Sequence, residues 1–378
     1  MNINDICVVG LGQAGGNIAN EFSKRGVLSG AVNFSQADLS SLDSVHYKLK
    51  LLGSEGLGHQ RSAAIDLISN YPEILINFIK SHFESSEVIL IPFGAGGGSG
   101  SGISTVTIDL ISNMYPDKAI VALPIIPHNE ESLTALINNQ QVFEELTELD
   151  CCILPIDNQQ IMLKYSGIGK SKIYNLTNNT VADQFLSLYN YTDKISCSGS
   201  FDKRDFINLF KQKGFCSIAE IVDIDYWLNQ ERLNMNTKGV KLLVKEVLKQ
   251  SVYAPIEEES LGRVAIIIDS EDDDIADNLN NSIFEDFANP PLDVFEGIYN
   301  HEQSRFVMVA LTGLSLPKHR LNQIDKIIKK RQEEIENVSS SKTVFKSQYA
   351  NLSLPNQNKQ KDTKAKSTSD ILSKYLKR

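Results

Sequence analysis

Gly94-Ala95-Gly96-Gly97-Gly98-Ser99-Gly100-Ser101-Gly102 follows an apolar run, Val88-Ile89-Leu90-Ile91, and precedes a helical pattern that starts near Ile103. Six of these nine residues are glycine and two are serine. Such a stretch bends tightly against a ligand and turns several N–H groups toward it. A helix directly behind it adds its N-terminal amides and the positive end of its dipole. The guest that suits this arrangement is a polyphosphate. Gly/Ser tracts also serve as flexible linkers, but a linker is not wedged between a buried strand and a helix.

A second glycine loop lies near the start. Gly10-Leu11-Gly12-Gln13-Ala14-Gly15 is a literal G-x-G-x-x-G after the apolar run Ile6–Val9, the pattern of a dinucleotide-binding turn. Two observations oppose a nicotinamide cofactor. A dinucleotide unit places an acid at the end of its second strand to hold the ribose, whereas Ala31-Val32-Asn33-Phe34 ends without one. Nor does such a unit need a second phosphate-cradling loop. Two loops on one sheet suit a nucleoside triphosphate, with an NAD-dependent oxidoreductase as the contrasting reading. The 94–102 loop is not a Walker P-loop, since no Gly-Lys-Ser/Thr follows it.

Outward from these loops, strand and helix signals alternate. Apolar runs at 31–34, 88–91, 119–123 and 152–154 are separated by helical spacing over 62–80, 103–114 and 130–149. Alternation predicts a doubly wound parallel sheet with its ligand at the carboxyl ends of the strands, where both glycine loops fall. The expected fold class is α/β. A Rossmann-like parallel-sheet domain covers 1–173 and a long central helix lies within 174–198. A second α/β domain covers 199–318, on helical patterns at 206–212 and 238–250 and strand-like runs at 264–268 and 306–311. A charged C-terminal helix follows over 319–337, then a basic flexible tail over 338–378.

Composition narrows the class. An apolar fraction of 42% over 378 residues is ample for a core. No apolar run reaches the ~18 residues that span a bilayer, and no basic-then-apolar leader opens the chain, so a cytoplasmic protein without a membrane partner is expected. The five cysteines form no C-x-x-C pair, and Cys7, Cys151 and Cys152 sit in apolar runs as small core hydrophobes. The six histidines form no H-x-H or H-E-x-x-H pattern, which argues against a transition metal. The net charge of −10 is unevenly placed: residues 338–378 hold nine Lys/Arg against two Asp, a tail of +7 on a body of −17. Such asymmetry marks an interaction tail. Residues 370–378 suit a short amphipathic helix on a partner, or a frayed solubilising end.

The glycine run resembles the signature loop of the tubulin/FtsZ superfamily, Gly-Gly-Gly-Thr-Gly-Thr/Ser-Gly. Gly96, Gly97, Gly98, Gly100 and Ser101 match it, and Ser99 replaces the usual Thr while keeping the hydroxyl. Gly12-Gln13-Ala14-Gly15-Gly16-Asn17-Ile18 is similar to the first tubulin loop, Gly-Gln-Ala-Gly-x-Gln-Ile. The resemblance covers about residues 3 to 315, with five loops in family order. It implies that the N-terminal domain is a GTPase domain with GTP/GDP and Mg²⁺ as cofactors. Gly12, Gln13, Ala14 and Asn17 then meet the phosphates, with Gln13 also near the metal, and Asn33 joins the nucleotide site. Gly53-Ser54-Glu55-Gly56-Leu57-Gly58 takes the place of the loop that senses the γ-phosphate, where Glu55 reaches Mg²⁺ through water; alone it reads as a surface turn. Ile156-Asp157-Asn158-Gln159-Gln160 resembles Ile-Asp-Asn-Glu-Ala, in which Asn158 reads guanine. Tyr174 and Asn178, four apart on one helical face, stack on and bond the base; unaided, they read as a core tyrosine and a solvated asparagine. Glu130 takes the ribose. The family's basic residue in the next helix is absent between Ser132 and Gln141.

Gly199-Ser200-Phe201-Asp202-Lys203-Arg204-Asp205 resembles the family's synergy loop, Asn-x-Asp-x-x-Asp, with Ser200 in place of Asn. The resemblance makes Asp202 and Asp205 catalytic toward the GTP of a neighbouring subunit. The residues alone favour an N-cap for the helix from Lys203. The family likeness implies a GTPase that assembles head-to-tail into a filament and hydrolyses on assembly. Within the superfamily the chain looks most like the TubZ-like filaments of plasmid or phage DNA partition. Its C-terminal helix and tail then engage a DNA-binding centromere adaptor, or the tail touches DNA directly and salt-sensitively. An FtsZ-like division protein, a phage spindle and a catalytically quiet scaffold are the other readings.

Overall fold

In a computed structural model, residues 3, 5–165, 167, 169–222, 237–270, 281–301 and 305–340 are described. The amphipathic stretch at 370–378 and the tail from 341 onward lie outside the described residues. Residues 1–332 form one compact unit.

The chain runs β1 (Ile6–Leu11), α1 (Gly12–Lys24), β2 (Leu28–Asn33), α2 (Gln36–Ser40), β3 (Tyr47–Lys50), α3 (Arg61–Asn70), α4 (Pro72–Phe83), β4 (Val88–Gly94), α5 (Ser99–Met114) and β5 (Ala119–Ile126). It continues α6 (Leu133–Leu146), β6 (Cys152–Ile153), β7 (Ile156–Asp157), α7 (Asn158–Lys164), α8 (Lys170–Tyr191), α9 (Lys203–Phe210), β8 (Gly214–Ile221) and α10 (Thr237–Lys249). Last come β9 (Arg263–Ser270), β10 (Asp293–Tyr299), β11 (Arg305–Leu314) and α11 (Lys318–Ser340). One sheet carries them in the order β10-β9-β11-β8-β6-β5-β4-β1-β2-β3, with β7 beside β5. The pairings from β3 through β8 are parallel, and β11 is antiparallel to both β8 and β9.

Every residue of β1 and of β5 is buried, because helices cover both faces of the sheet. Side-chain alternation divides each strand between two cores. Cys7, Val9 and Leu11 face one, with Ile103, Phe143 and Phe83; Ile6 and Val8 face the other, with Phe22, Phe185 and Phe206. In the second core Phe206 packs edge-on to Phe185 at 5.5 Å and to Tyr189 at 5.2 Å, tying α9 to α8. The sheet narrows at β6, where only Cys152 and Ile153 pair, with β5 on one side and β8 on the other.

Three readings of the sequence are sharpened. The helical spacing over 62–80 is two helices, because Tyr71 before Pro72 takes φ −142°, ψ 54° and breaks the ladder. Helix α5 begins at Ser99, inside the glycine run rather than after it. Strands β3, β8 and β10 carry no strong apolar signal, and they complete the sheet.

Close packing fixes the glycines of the first loop. A Cβ on Gly15 would stand 2.0 Å from the carbonyl oxygen of Pro92, in the neighbouring strand, whereas one on Gly16 would meet side chains alone, Leu42 at 3.1 Å and Ala31 at 3.9 Å. Gly15→Ala is therefore expected to lower stability by about 2–3 kcal/mol or more. Gly16→Ala, mid-helix, should leave it unchanged or raise it by up to ~1 kcal/mol. Urea midpoints of the two variants, measured side by side, check that only Gly15→Ala lowers stability.

Candidate functional site

At the carboxyl ends of β1, β4, β5 and β7 lies a cavity of about 400 Å³. Gln13, Ala14 and Asn17 reach it from the first turns of α1, Gly94 from the end of β4, and Gly96 and Gly97 from the loop after it. Ile125, Pro127 and Glu131 approach from the end of β5, Asn158 from the start of α7, and Tyr174, Thr177 and Asn178 from one face of α8.

The floor is two glycine loops in backbone contact. Gly12 sits at φ +71°, and a Cβ there would lie 2.7 Å from the amide nitrogen of Gly100. Helices α1 and α5 both start at this contact, and neither has a side-chain cap or an acid in its first turn. Helices α2, α6, α7 and α9 are capped by Ser35, Ser132, Asp157 and Asp202, whereas α3, α4 and α8 lack a side-chain cap as α1 and α5 do. The first amides of α1 and α5 are thus free to meet an anion. The glycine loop is held from behind by Asn138 of α6, buried, whose Nδ2 lies 3.1 Å from the His59 carbonyl oxygen, 3.2 Å from that of Gly96 and 3.1 Å from that of Gly97. His59 lines the cavity in the left-handed region at φ 66°, and its Nδ1 sits 3.1 Å from the Gly96 oxygen. Nothing local in the sequence marks Asn138 or His59.

The opposite end gathers polar side chains from α7, α8 and the segment after β5. Asn158 is the first residue of α7, and its side-chain oxygen is buried without a hydrogen-bond partner among the described residues. A ring N–H or amino group placed there would satisfy it. Tyr174 donates to Glu131 Oε1 at 3.1 Å, and its hydroxyl is pushed up to about 12 by burial and the Glu131 charge. His128 Nε2 lies 3.1 Å from the same carboxylate oxygen. Asp157, fully buried, caps α7 through the Gln159 amide and pairs with Arg320 at 2.8 Å. Burial pushes the Asp157 carboxyl up, against the pull of that guanidinium.

Of the residues singled out from the sequence, Gln13, Ala14, Asn17, Gly96, Gly97, Asn158, Tyr174 and Asn178 line this one cavity. Gly12, Gly98, Ser99, Gly100 and Ser101 form the turn behind it, where Ser101 donates to the Gly97 carbonyl. Of the two adjacent acids, Glu131 lines the cavity and Glu130 is exposed outside it. Asn33 is buried, and its side chain is spent on the Ser35 amide and Asp38. Glu55 is exposed and paired with Lys50, outside the cavity lining. No group of three or more His, Cys, Asp or Glu able to hold a metal occurs among the described residues.

Asp202 and Asp205 stand elsewhere, in a full capping box. Asp202 Oδ1 accepts from the amides of Arg204 at 2.7 Å and Asp205 at 3.0 Å, and Asp205 Oδ2 accepts from the Asp202 amide at 3.2 Å. The N-cap reading of these residues is realised. Lys203 between them reaches Asp5, just before β1, at 3.1 Å. Asp5 also accepts from Tyr189, near the far end of α8, at 2.6 Å. Helix α8 thus runs from Tyr174 in the cavity to Tyr189 at the amino edge of β1. At ~1.5 Å per residue that is about 22 Å. The acid pair and the cavity lie at opposite ends of the same strand and helix.

Residues 5–165 match the GTPase domain of the Tubulin/FtsZ family. The tubulin-like protein CetZ of Pyrococcus abyssi is 28% identical over 189 residues, 48% of this chain and 51% of that relative. The chain thus spans about half the length of that relative. The tubulin-like protein TubZ of Clostridium botulinum C phage is 22% identical over 99% of both chains. A protofilament of Bacillus thuringiensis serovar israelensis TubZ in its GTPγS form has the same fold, with a TM-score of 0.75, 17% identity, and coverage of 89% of this chain and 94% of that one. Among the described residues no helix is long and apolar enough to cross a membrane.

Asn138→Ala would leave the carbonyls of residues 59, 96 and 97 without their common donor. Expected are a loss of about 1–3 kcal/mol in stability and weaker binding of a guanine nucleotide. Thermal unfolding with and without GDP checks both, since a loosened loop shrinks the GDP-induced rise in melting temperature.

Proposed function

We propose that this chain, whose residues 5–165 match the GTPase domain of the Tubulin/FtsZ family, binds GTP in the cavity above β1 and β4 and hydrolyses it only when a second copy stacks on that face. The observation that carries this reading is the separation of the two halves of the chemistry. The cavity offers amides for phosphates and an orphaned Asn158 oxygen for a base, but Glu131, the one lining carboxylate among the described residues, is bonded to Tyr174 and lies at the base end. The acid pair, Asp202 exposed and Asp205 half-buried, lies at the other end of α8, whose span from Tyr174 to Tyr189 is about 22 Å. A head-to-tail neighbour would bring its Asp202 and Asp205 over this chain's phosphates, and such a heterologous contact propagates into a filament.

Each residue then has a physical task. The first amides of α1 and α5 hold phosphate oxygens, with Gln13 and Asn17 at the rim. Asn158 bonds the guanine edge, Tyr174 and Asn178 flank it, and Glu131 is the acid placed for the ribose. Bound Mg²⁺ would neutralise charge on the phosphates; Gln13, which lines the cavity, suits contact with it through water, whereas Glu55 is held aside by Lys50. Asp205, its carboxyl pushed up by burial and the Asp202 charge, suits a base that orients or deprotonates the attacking water. The capping box uses Asp202 Oδ1 and Asp205 Oδ2, so the second oxygen of each acid lies outside it.

The cellular role we infer is DNA partition by a cytoplasmic filament. Its support is the full-length likeness to a phage TubZ and the +7 tail on a −17 body, which suits a DNA-bound adaptor or DNA itself.

Asn in place of Asp keeps an N-cap, so Asp202→Asn with Asp205→Asn separates capping from catalysis. The double variant should bind GTP and scatter light with Mg²⁺, yet release phosphate about 100-fold more slowly or less. Asn178→Trp, which fills the cavity, should neither bind nor hydrolyse GTP. Mixing the two inactive proteins should restore phosphate release, because one supplies the nucleotide and the other the acids. A mixture that stays inactive contradicts a site shared between subunits.

A further inference from the structure

The C-terminal helix reaches the base end of the cavity without touching the cavity itself. Arg320, 3% exposed, donates Nε to Asp157 at 2.8 Å, Nη1 to Asn129 Oδ1 at 2.8 Å and to Gln323 at 3.2 Å, and Nη2 to the Pro127 carbonyl at 2.9 Å. Arg331 lies eleven residues on, three turns along the same face of α11. It donates Nη2 to the Asn129 carbonyl at 2.7 Å and Nη1 to the Glu131 carbonyl. Two guanidinium groups therefore hold three alternate backbone carbonyls of the segment 127–131 and the N-cap of α7. The segment is also bonded to α7 through the Asn129 amide and Gln159 at 3.0 Å.

The residues so fixed are the ones that face a base and sugar. Pro127 and Glu131 lie at the two ends of the clamped segment, and Asn158 follows directly on Asp157; all three line the cavity. The glycine loops are secured by Asn138 and the Gly12–Gly100 contact, neither of which includes a residue of α11; α11 meets α6 two residues further on, where Gln140 donates to the Leu321 carbonyl at 3.1 Å and to Asp325 at 2.6 Å. Docking of α11 does not depend on the arginines alone, since Leu321 and Ile324 are buried in the first core. A buried guanidinium with four acceptors is a costly device and a stiff one, since its fork fixes several partners in one plane.

We propose that Arg320 and Arg331 are positioning residues that set the guanosine end of the site. Helix α11 then governs recognition of base and ribose, while the glycine loops govern the phosphates independently. This rests on the cavity being the GTP site.

The test uses the full chain and calorimetric binding of GDP, inosine diphosphate (which lacks the 2-amino group of guanine) and GTPγS. The variants are Arg331→Ala, which removes bonds only to backbone carbonyls, and Arg320→Met combined with Asp157→Asn. The second substitution keeps the N-cap and avoids a stranded buried charge. Expected is a rise of at least 10-fold in the Kd for GDP and a fall of at least 5-fold in the preference for GDP over inosine diphosphate. The preference for GTPγS over GDP should stay within 2-fold. Arg331→Lys, which keeps one donor, should recover part of the loss. A general loosening of the fold would weaken both diphosphates alike, and that parallel loss overturns the proposal, as does unchanged binding. If the unaltered chain binds no guanine nucleotide, the GTP reading itself fails and the proposal with it. If it binds GDP with Asn158-dependent selectivity while the arginine variants behave as wild type, only the proposal fails.

Discussion

Two helices begin within van der Waals contact of one another, and the arrangement is electrostatically unfavourable as it stands. Each N-terminus carries about half a positive charge, and the Gly12–Gly100 contact brings the two together above adjacent strands. No acidic side chain occupies the first turn of either helix. An anion with several oxygens resolves the conflict in a way that one side-chain cap does not. The steric terms are as strict. Gly12 must adopt a left-handed backbone with no Cβ, and Gly15 must let the Pro92 carbonyl approach. The neighbouring positions of β1 and β4, the start points of α1 and α5, and the cavity all result from satisfying these demands at once.

That constraint is local in sequence, so it is readable there. The glycine loops, the apolar runs of β1, β4 and β5, and the loop order place eight of the expected ligand-facing residues in one cavity. The residues that escape such a reading act at long range. Asn138 reaches residues 59, 96 and 97, and Arg320 reaches back to Asp157 and Pro127. An asparagine or arginine inside a helix looks the same whether it meets water or a buried carbonyl. Glu130 and Glu131 are indistinguishable as letters, and only the turn after β5 decides which faces inward. Strand β3, Tyr-Lys-Leu-Lys, is silent because it is an edge exposed on its first residues. Strand β8, Gly-Phe-Cys-Ser-Ile-Ala-Glu-Ile, is silent because small and polar residues interrupt it although nearly all of it is buried.

The acids near α9 show how one pair of residues carries two readings without conflict. A capping box needs one oxygen from each carboxylate and the backbone between them. It fixes the direction of both side chains on the surface and ties them, through Lys203 and Asp5, to the amino edge of the sheet. Tyr189 and Phe206 lock that edge to α8. The structural role of the acids thus supplies the rigidity that a role in a neighbour's chemistry would demand.

Strand β6 bears differently on the molecule. The sheet is broad on either side of it, yet at β6 only Cys152 and Ile153 are in register with both neighbours, reinforced nearby by the bonds from Gly214 to Cys151, Asp157 to Val252 and Ala254 to Pro155 and by the Ile156–Tyr253 bridge. In an elastic plate, flexure concentrates where the cross-section is least. The half that carries the glycine-loop cavity and the half that carries β9, β10 and β11 therefore meet along a line of sparse main-chain pairing, bridged by side chains of both cores. A longitudinal load on the molecule would meet its least main-chain resistance there, opposed by side-chain packing across the line such as the Phe143–Phe215 stack at 6.2 Å.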